Sequence, residues 1–192
     1  MSQSALRLAT ATDLAGLPTG VEAEVIRGAI VERAAPSAEH GDAQSQLAVL
    51  IKGPFQRRPG RGGPGGWWIL TEVEVELETH EVYRPDLVGW RRDRIGERPT
   101  GRPVRLRPDW VCEVLSPSTA KNDLVDKLRT LQANAVPHHW VVDPERETLT
   151  VLRWTEEGYL TALTAKRGER VRAEPFAAID LDVGVLFGDE DP

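Results

Sequence analysis

The chain has 192 residues, a formal net charge of −6, 40% hydrophobic residues and a single cysteine, Cys112. This length supports one domain with a substantial core, and the acidic balance argues against a protein that coats nucleic acid nonspecifically. A lone cysteine excludes an intrachain disulfide and cysteine-ligated zinc, and no window approaches the run of about 18 apolar residues that a membrane span needs. The N-terminus "MSQSALRLATATDLAGLPTG" lacks the basic start and apolar run of a signal peptide, so the expected location is the cytoplasm.

"VEAEVIRGAIVERA" (21–34) carries β-branched residues on both sides of Arg27-Gly28, the pattern of two short strands joined by a tight turn. A helix is expected over 37–53, with Ser37 as N-cap, Glu39 behind it, and Leu47, Leu50 and Ile51 at helical spacing. "PFQRRPGRGGPGG" (54–66) is a loop by composition, either a connection or a mobile basic flap. "WWILTEVEVELE" (67–78) alternates with period two and predicts one strand on which Glu72, Glu74, Glu76 and Glu78 share a wet face.

"EVYRPDLVGW" (81–90) reads as the next strand, followed by an Arg-rich excursion (91–107) and the strand "DWVCEVL" (109–115). From Arg84 to Arg107 there are eight Arg against Asp86, Asp93 and Glu97, a local formal charge of about +5. A helix is predicted over 118–135, capped by Ser118 or Thr119, with a stripe of Leu124, Leu128, Leu131 and Ala135 and an end marked by Val136-Pro137. "HHWVVD" (138–143), "TLTVLRW" (148–154) and "YLTALTA" (159–165) are three more strands, the last two joined by a turn at Gly158, and the tail reads as a loop with a short closing helix. The order implies a mixed α/β or α+β fold in which the helix crosses between parallel strands at 109–115 and 138–143.

A carboxylate within a strand that is otherwise apolar costs several kcal/mol unless it is paired, protonated or bound to a metal. Glu113 lies well inside such a strand, and Asp86 enters its own strand just after Arg84-Pro85, which sets an extended entry. If the two strands are neighbours, Asp86 and Glu113 converge, and a hard divalent ion with a main-chain carbonyl near Val114 and water is the simplest way to reconcile their charges. Lysine is scarce, and a turn of about 100° per residue puts Lys127 and Asp123 on one flank of the buried stripe, Lys121 on the other. Lys127 can then reach over the end of the neighbouring strand, or it makes only an exposed pair with Asp123. Asp109 reads as a strand-entry or turn acceptor, Cys112 as a small core residue, and His138 and His139 as core or surface residues. Trp67 and Trp68, beside the Gly-rich loop, read as core or sheet-edge aromatics before base-stacking ones.

"RPDLVGW", "PDWVCEVLSPST", "KNDLVDKL" and "AVPHHWVVDPERETLTVLRW" together closely resemble the Uma-type restriction endonuclease family, a branch of the PD-(D/E)XK nuclease superfamily. The resemblance runs from about "AEVIRGAIVE" to "EPFAAIDLDVGVLF". It implies a restriction-endonuclease-like core, a mixed β-sheet flanked by helices, in a single domain over 1–192 with its core at about 21–187. It also implies metal-dependent phosphodiester hydrolysis with Mg2+ or Mn2+. Asp86 and Glu113 match the motif carboxylates. The superfamily's usual lysine falls on Leu115, which cannot serve, and Lys127 matches the lysine moved to the following helix. Glu24 matches an acidic position that can lie near the metal, and His40 a recurrent histidine of the first helix.

The sequence therefore sets up a nuclease with Asp86, Glu113 and Lys127 as catalytic residues and Asp86, Glu113 and Val114 around a metal; Glu24, His40 and Asp123 are lesser candidates. Arg57, Arg58, Arg61, Arg91, Arg92 and Arg94 would contact the backbone of nucleic acid, DNA before RNA. The rival expectations are a nuclease-like binding module that no longer cuts, and metal-assisted hydrolysis of a smaller phosphoester. Self-pairing into a homodimer along the edge of the "TLTVLRWTEEGYLTALTA" strands is a further expectation.

Overall fold

The computed structural model describes residues 7–60, 62–116 and 120–190, with the backbone alone for 120–124. The chain begins with a short helix α1 (Ala11–Ala15), which the sequence did not announce, and the hairpin β1 (Ala23–Ile26) and β2 (Ala29–Glu32). Ile26 pairs with Ala29, and both turn residues have positive φ, 52° at Arg27 and 73° at Gly28, as a two-residue hairpin turn requires. Helix α2 (Ala38–Phe55) follows, capped as expected by Ser37, whose side chain accepts the His40 N–H at 3.2 Å. It runs two residues past the predicted end because Phe55 continues the buried stripe of Ala43, Leu47 and Ile51.

The next stretch departs from the sequence reading. The predicted strand 67–78 is two strands, β3 (Trp67–Thr71) and β4 (Val75–Glu78), and the predicted strand 81–90 is also two, β5 (Glu81–Tyr83) and β6 (Leu87–Arg91). Together they form a ribbon that turns a corner and passes from one sheet to another. The corner falls where Pro85 has no N–H to offer the ladder; opposite it Glu72 adopts φ 55° and donates its N–H to the carbonyls of Pro85 (3.2 Å) and Asp86 (3.3 Å). The expected wet glutamate face is also not simply solvated. Glu74 and Glu76 pair with Arg102 and Arg105 of the Arg-rich excursion, so much of its +5 formal charge is spent on neighbours.

Strand β7 (Trp110–Val114), helix α3 (Ala120–Ala133), β8 (His138–Asp143), β9 (Thr148–Thr155) and β10 (Gly158–Lys166) complete the main body. The six-stranded sheet has the order β10-β9-β8-β7-β6-β3, and β7 and β8 are parallel, as the α3 crossover predicted. The smaller sheet has the order β2-β1-β5-β4. In the tail, two unpredicted short strands, β11 (Arg170–Val171) and β12 (Leu181–Asp182), pair before the closing helix, which is of the 3-10 type (Val183–Phe187). The expected capping residues Ser118 and Thr119 lie outside the described residues.

The central strands of the six-stranded sheet, β6 to β8, are buried on both faces, while much of β10 is exposed. Leu47, Ile51 and Phe55 of α2 pack on one side against Trp110, Cys112, Trp140 and Phe176, with the Trp110 and Trp140 rings edge to face at 5.4 Å. Leu131 of α3 and the following Val136 pack on the other side against Val88, Trp90 and Val111. Each such aliphatic side chain contributes about 1.5–3 kcal/mol when fully buried, so alternate β7 residues are locked to opposite faces. Among the described residues no helix is long and apolar enough to cross a membrane.

Candidate active site

The ribbon corner delivers Asp86 to the end of β7. Leu87 stands opposite Cys112 in the antiparallel β6–β7 register, so Asp86, one residue before, and Glu113, one residue after, come next to each other just past the last β6–β7 pair, while Glu113 stays paired with Val141 of β8. Asp86 is 1% exposed. Its Oδ2 accepts the Val114 N–H at 2.7 Å, and its Oδ1 lies 3.2 Å from both His40 Nε2 and Arg33 Nη2. Burial pushes the Asp86 carboxyl up, but His40, the Val114 N–H and Arg33 outweigh it and hold the carboxyl below its usual range. Arg33 is gripped on its other side by Glu72 at 2.5 Å, and Glu72 in turn accepts from Gln44 at 2.9 Å.

Glu113 faces the α3 side of the sheet with its neighbour Val111, and Lys127 comes down to it from α3. Lys127 is 5% exposed and bridges two carboxylates, Glu24 Oε2 at 2.8 Å and Glu113 Oε1 at 3.3 Å. Lys127 is thus buried rather than on an exposed flank, and the side chain of Asp123, its expected neighbour, lies outside the described residues. Burial drives the Glu113 carboxyl from its ordinary 4.5 to about 8; Lys127 opposes the rise, while the charges of Asp86 and Glu24 add to it. Glu24, on β1, is itself buried and takes the Arg84 N–H on Oε1 at 2.6 Å.

Glu24, Arg33, His40, Asp86, Glu113 and Lys127 line one cavity of about 90 Å³, with Val114 also in its wall. The structure thus brings together every acidic, histidine and lysine candidate whose side chain is described. Among the described residues no three His, Cys, Asp or Glu side chains are placed to hold a metal by themselves. What the cavity offers an ion is carboxylate oxygen, a hard donor set of the kind that suits magnesium or manganese ions, which keep water in their shell. Arg33 and Glu72 are members the sequence reading missed. Arg33 lies 53 residues from Asp86 in the chain, and nothing in its local pattern marks it.

The arginines divide. Arg91 pairs with Asp93 at 2.5 Å and Arg94 with Asp109 at 2.8 Å, so their charge is committed within the protein. Asp109 also accepts the Arg91 N–H at 2.8 Å, the strand-entry role its sequence position suggested. The Arg92 guanidinium lies 3.4 Å over the Trp68 ring, and burial and the nearby charge of Arg58 lower its pKa. Among the described residues neither Arg58 nor Arg92 is in a salt bridge; Arg57 donates to the Gly53 carbonyl, and Arg61 lies outside the described residues. Arg92 follows the far end of β6 from Asp86, so roughly 16 Å of strand separates this basic group from the acidic cavity. His139 is fully buried, with neither ring nitrogen in a hydrogen bond to a described residue, as a core residue rather than a ligand.

A family model described as Uma2, "putative restriction endonuclease", matches residues 8–184. The chain is also similar in fold to the crystal structure of a putative nuclease belonging to DUF820 from Anabaena variabilis ATCC 29413, with a TM-score of 0.71, 22% identity, and coverage of 93% of this chain and 97% of that one. None of the curated proteins matches it. The match spans the corner, the cavity and both sheets, and the chain belongs to the Uma2 putative restriction endonuclease family.

Proposed function

We propose that the chain is a divalent-metal-dependent nuclease that hydrolyses phosphodiester bonds, with DNA as its first substrate. The observation that carries this reading is the convergence of Asp86 and Glu113 on one cavity beside the buried ammonium of Lys127. Asp86, Glu113 and the main-chain carbonyl of Val114 would hold Mg2+ or Mn2+, and a cation there would offset the burial, and the smaller repulsion by Asp86 and Glu24, that raise the Glu113 carboxyl. Bound in that place, the ion supplies a Lewis acid for a phosphoryl oxygen and makes water more acidic.

The chain's own groups do the rest. His40, Arg33 and the Val114 N–H keep Asp86 ionised and fix both of its oxygens. Lys127 directs N–H donors into the cavity, toward attacking water or toward charge growing on the phosphoryl group. Arg58 and Arg92 reach the nucleic-acid backbone away from the cut, which positions the strand without reading sequence. We place the protein in the cytoplasm, and a second copy pairing along the β10 edge would supply the partner site for cutting both strands.

A second reading, a binding module that no longer cuts, is favoured by one observation: Lys127 and Arg33 already pair with Glu113 and Asp86 without any metal. Calorimetric titration of Mg2+ and Mn2+ into the wild type and Glu113→Gln, with plasmid, single-stranded DNA and RNA incubated in parallel, decides between them. Metal binding and cleavage that vanish together in the variant support the nuclease. A wild type that binds neither ion, with or without nucleic acid, establishes the second reading.

A further inference from the structure

Glu24 reaches the cavity from an element that belongs to neither motif strand, and each of its oxygens accepts from a different donor. Oε1 accepts the Arg84 N–H at 2.6 Å and Oε2 accepts Lys127 Nζ at 2.8 Å. The contact with Lys127 is shorter than the one Lys127 makes with Glu113, 3.3 Å. We infer that Glu24 is the positioning residue for Lys127 and is not a ligand of the metal. This rests on the nuclease reading for what Lys127 does, but the placement itself stands on the geometry.

A lysine on a helix has a flexible four-carbon stem, and the rotamer entropy of that stem opposes holding its ammonium at one point. Glu24 supplies a fixed anchor for it from outside α3. Glu24 is 3% exposed and sits on β1, where pairing with Val31 of β2 and the neighbouring Val25–Val82 pair of β5 set its position. The same β1–β5 pairing brings the Arg84 N–H to the other carboxylate oxygen, so the anchor is held at both ends before Lys127 arrives. Tyr83, next to Arg84, adds a wall, its ring centroid 5.7 Å from Lys127 Nζ. A rotation of the Glu24 side chain away from Lys127 would take from the buried ammonium its shorter carboxylate contact and from the Arg84 N–H its acceptor, so the two contacts together oppose any other orientation.

The experiment compares wild type, Glu24→Gln, Lys127→Gln and the double variant. The Mg2+ and Mn2+ affinities of Glu24→Gln are expected to stay within about twofold of wild type, with KM for an oligonucleotide little changed and kcat lower by about tenfold or more. In the Lys127→Gln background, Glu24→Gln is expected to lower kcat by no more than about twofold, because a residue acting only through Lys127 has nothing left to position. A metal affinity weakened tenfold or more, or an undiminished fall of kcat in the Lys127→Gln background, overturns the inference and makes Glu24 a ligand.

Acetylation of lysines by acetic anhydride, mapped by mass spectrometry, supplies a readout that needs no activity. Lys127 should be protected in the wild type and label several-fold faster in Glu24→Gln, with Lys52 and Lys166 as internal standards. Unchanged labelling overturns the positioning role. A wild type that neither binds metal nor cuts defeats the nuclease reading, while the labelling still decides whether Glu24 sets Lys127. Should Glu24→Gln not fold, Glu24→Asp keeps the charge and shortens the reach by one methylene, and the same acceleration of labelling is expected.

Discussion

The Asp86 carboxylate and the Val114 main-chain N–H meet at 2.7 Å, tying the corner of the ribbon to the last residue of β7. The same carboxylate therefore closes a strand end and faces the cavity. Asp86→Ala leaves the buried Val114 N–H without its acceptor and takes from the half-buried Arg33 guanidinium one of its two carboxylates, and should cost about 3–5 kcal/mol in urea unfolding. Asp86→Asn, which keeps an oxygen for Val114, should cost clearly less while still losing metal binding. Equal stabilities for the two variants would mean that the contact with Val114 contributes nothing.

The pairing of Lys127 with Glu24 and Glu113 should appear as non-additivity. Lys127→Met alone strands buried carboxylates and should destabilise by about 3 kcal/mol or more. Adding Glu24→Gln to it should return part of that loss, a coupling of about 0.5–3 kcal/mol in denaturant unfolding. Strictly additive free energies would argue that the three charges do not interact.

Stability should depend on pH through Glu113. Its carboxyl is raised in the folded protein to about 8 from an ordinary 4.5, chiefly by burial, so between those values the folded state holds a proton that the unfolded chain has released. Stability from this group is therefore full below about pH 4.5, falls as pH rises toward 8, and is lowest above it. Glu113→Gln removes the effect, so the variant should gain on the wild type by a few kcal/mol between pH 5 and pH 9, read from thermal or urea unfolding at each pH. Saturating Mg2+ should flatten the wild-type decline, because a cation favours the ionised carboxylate.

His139 works in the opposite direction. Burial, with a smaller push from Lys127, lowers its imidazole from 6.5 to about 3, so the folded protein keeps it neutral where the unfolded chain protonates it. Its contribution to stability is present above pH 6.5 and is lost as pH falls toward 3. With neither ring nitrogen bonded to a described residue, His139→Leu should be neutral or stabilising at pH 7 and should soften acid unfolding. A variant destabilised by more than about 2 kcal/mol at pH 7 would show that the ring has partners of value there.

Arg92, stacked on Trp68 and close to Arg58, should act on nucleic acid through charge alone. Arg92→Ala should weaken binding to unrelated duplexes to a similar degree and reduce the salt slope by about 0.9 if it neutralises one phosphate. Arg94→Ala, whose charge is committed to Asp109, should leave the slope unchanged and lower stability instead.

Much of this molecule was legible in its sequence because the signals are local. The Arg27-Gly28 turn, the Ser37 cap, the strand 138–143 and the parallel β7–β8 pair joined by α3 all follow from backbone preferences and apolar periodicity within a few residues. The resemblance named Asp86, Glu113 and Lys127, while spacing alone left Lys127 either reaching the neighbouring strand or pairing with Asp123. Period two, however, cannot tell one strand from two that change sheets, since alternation continues across a bend; only the paired chain, with Pro85 facing Glu72, shows the corner that aims Asp86. Formal charge likewise could not separate Arg94, neutralised by Asp109, from Arg92, because that depends on which acids fold alongside. Arg33 meets both Asp86 and Glu72 across tens of residues, and Glu24 meets Lys127 only because the small sheet docks beside α3. Charges this far apart in the chain acquire their energies from burial and distance, which tertiary structure alone creates.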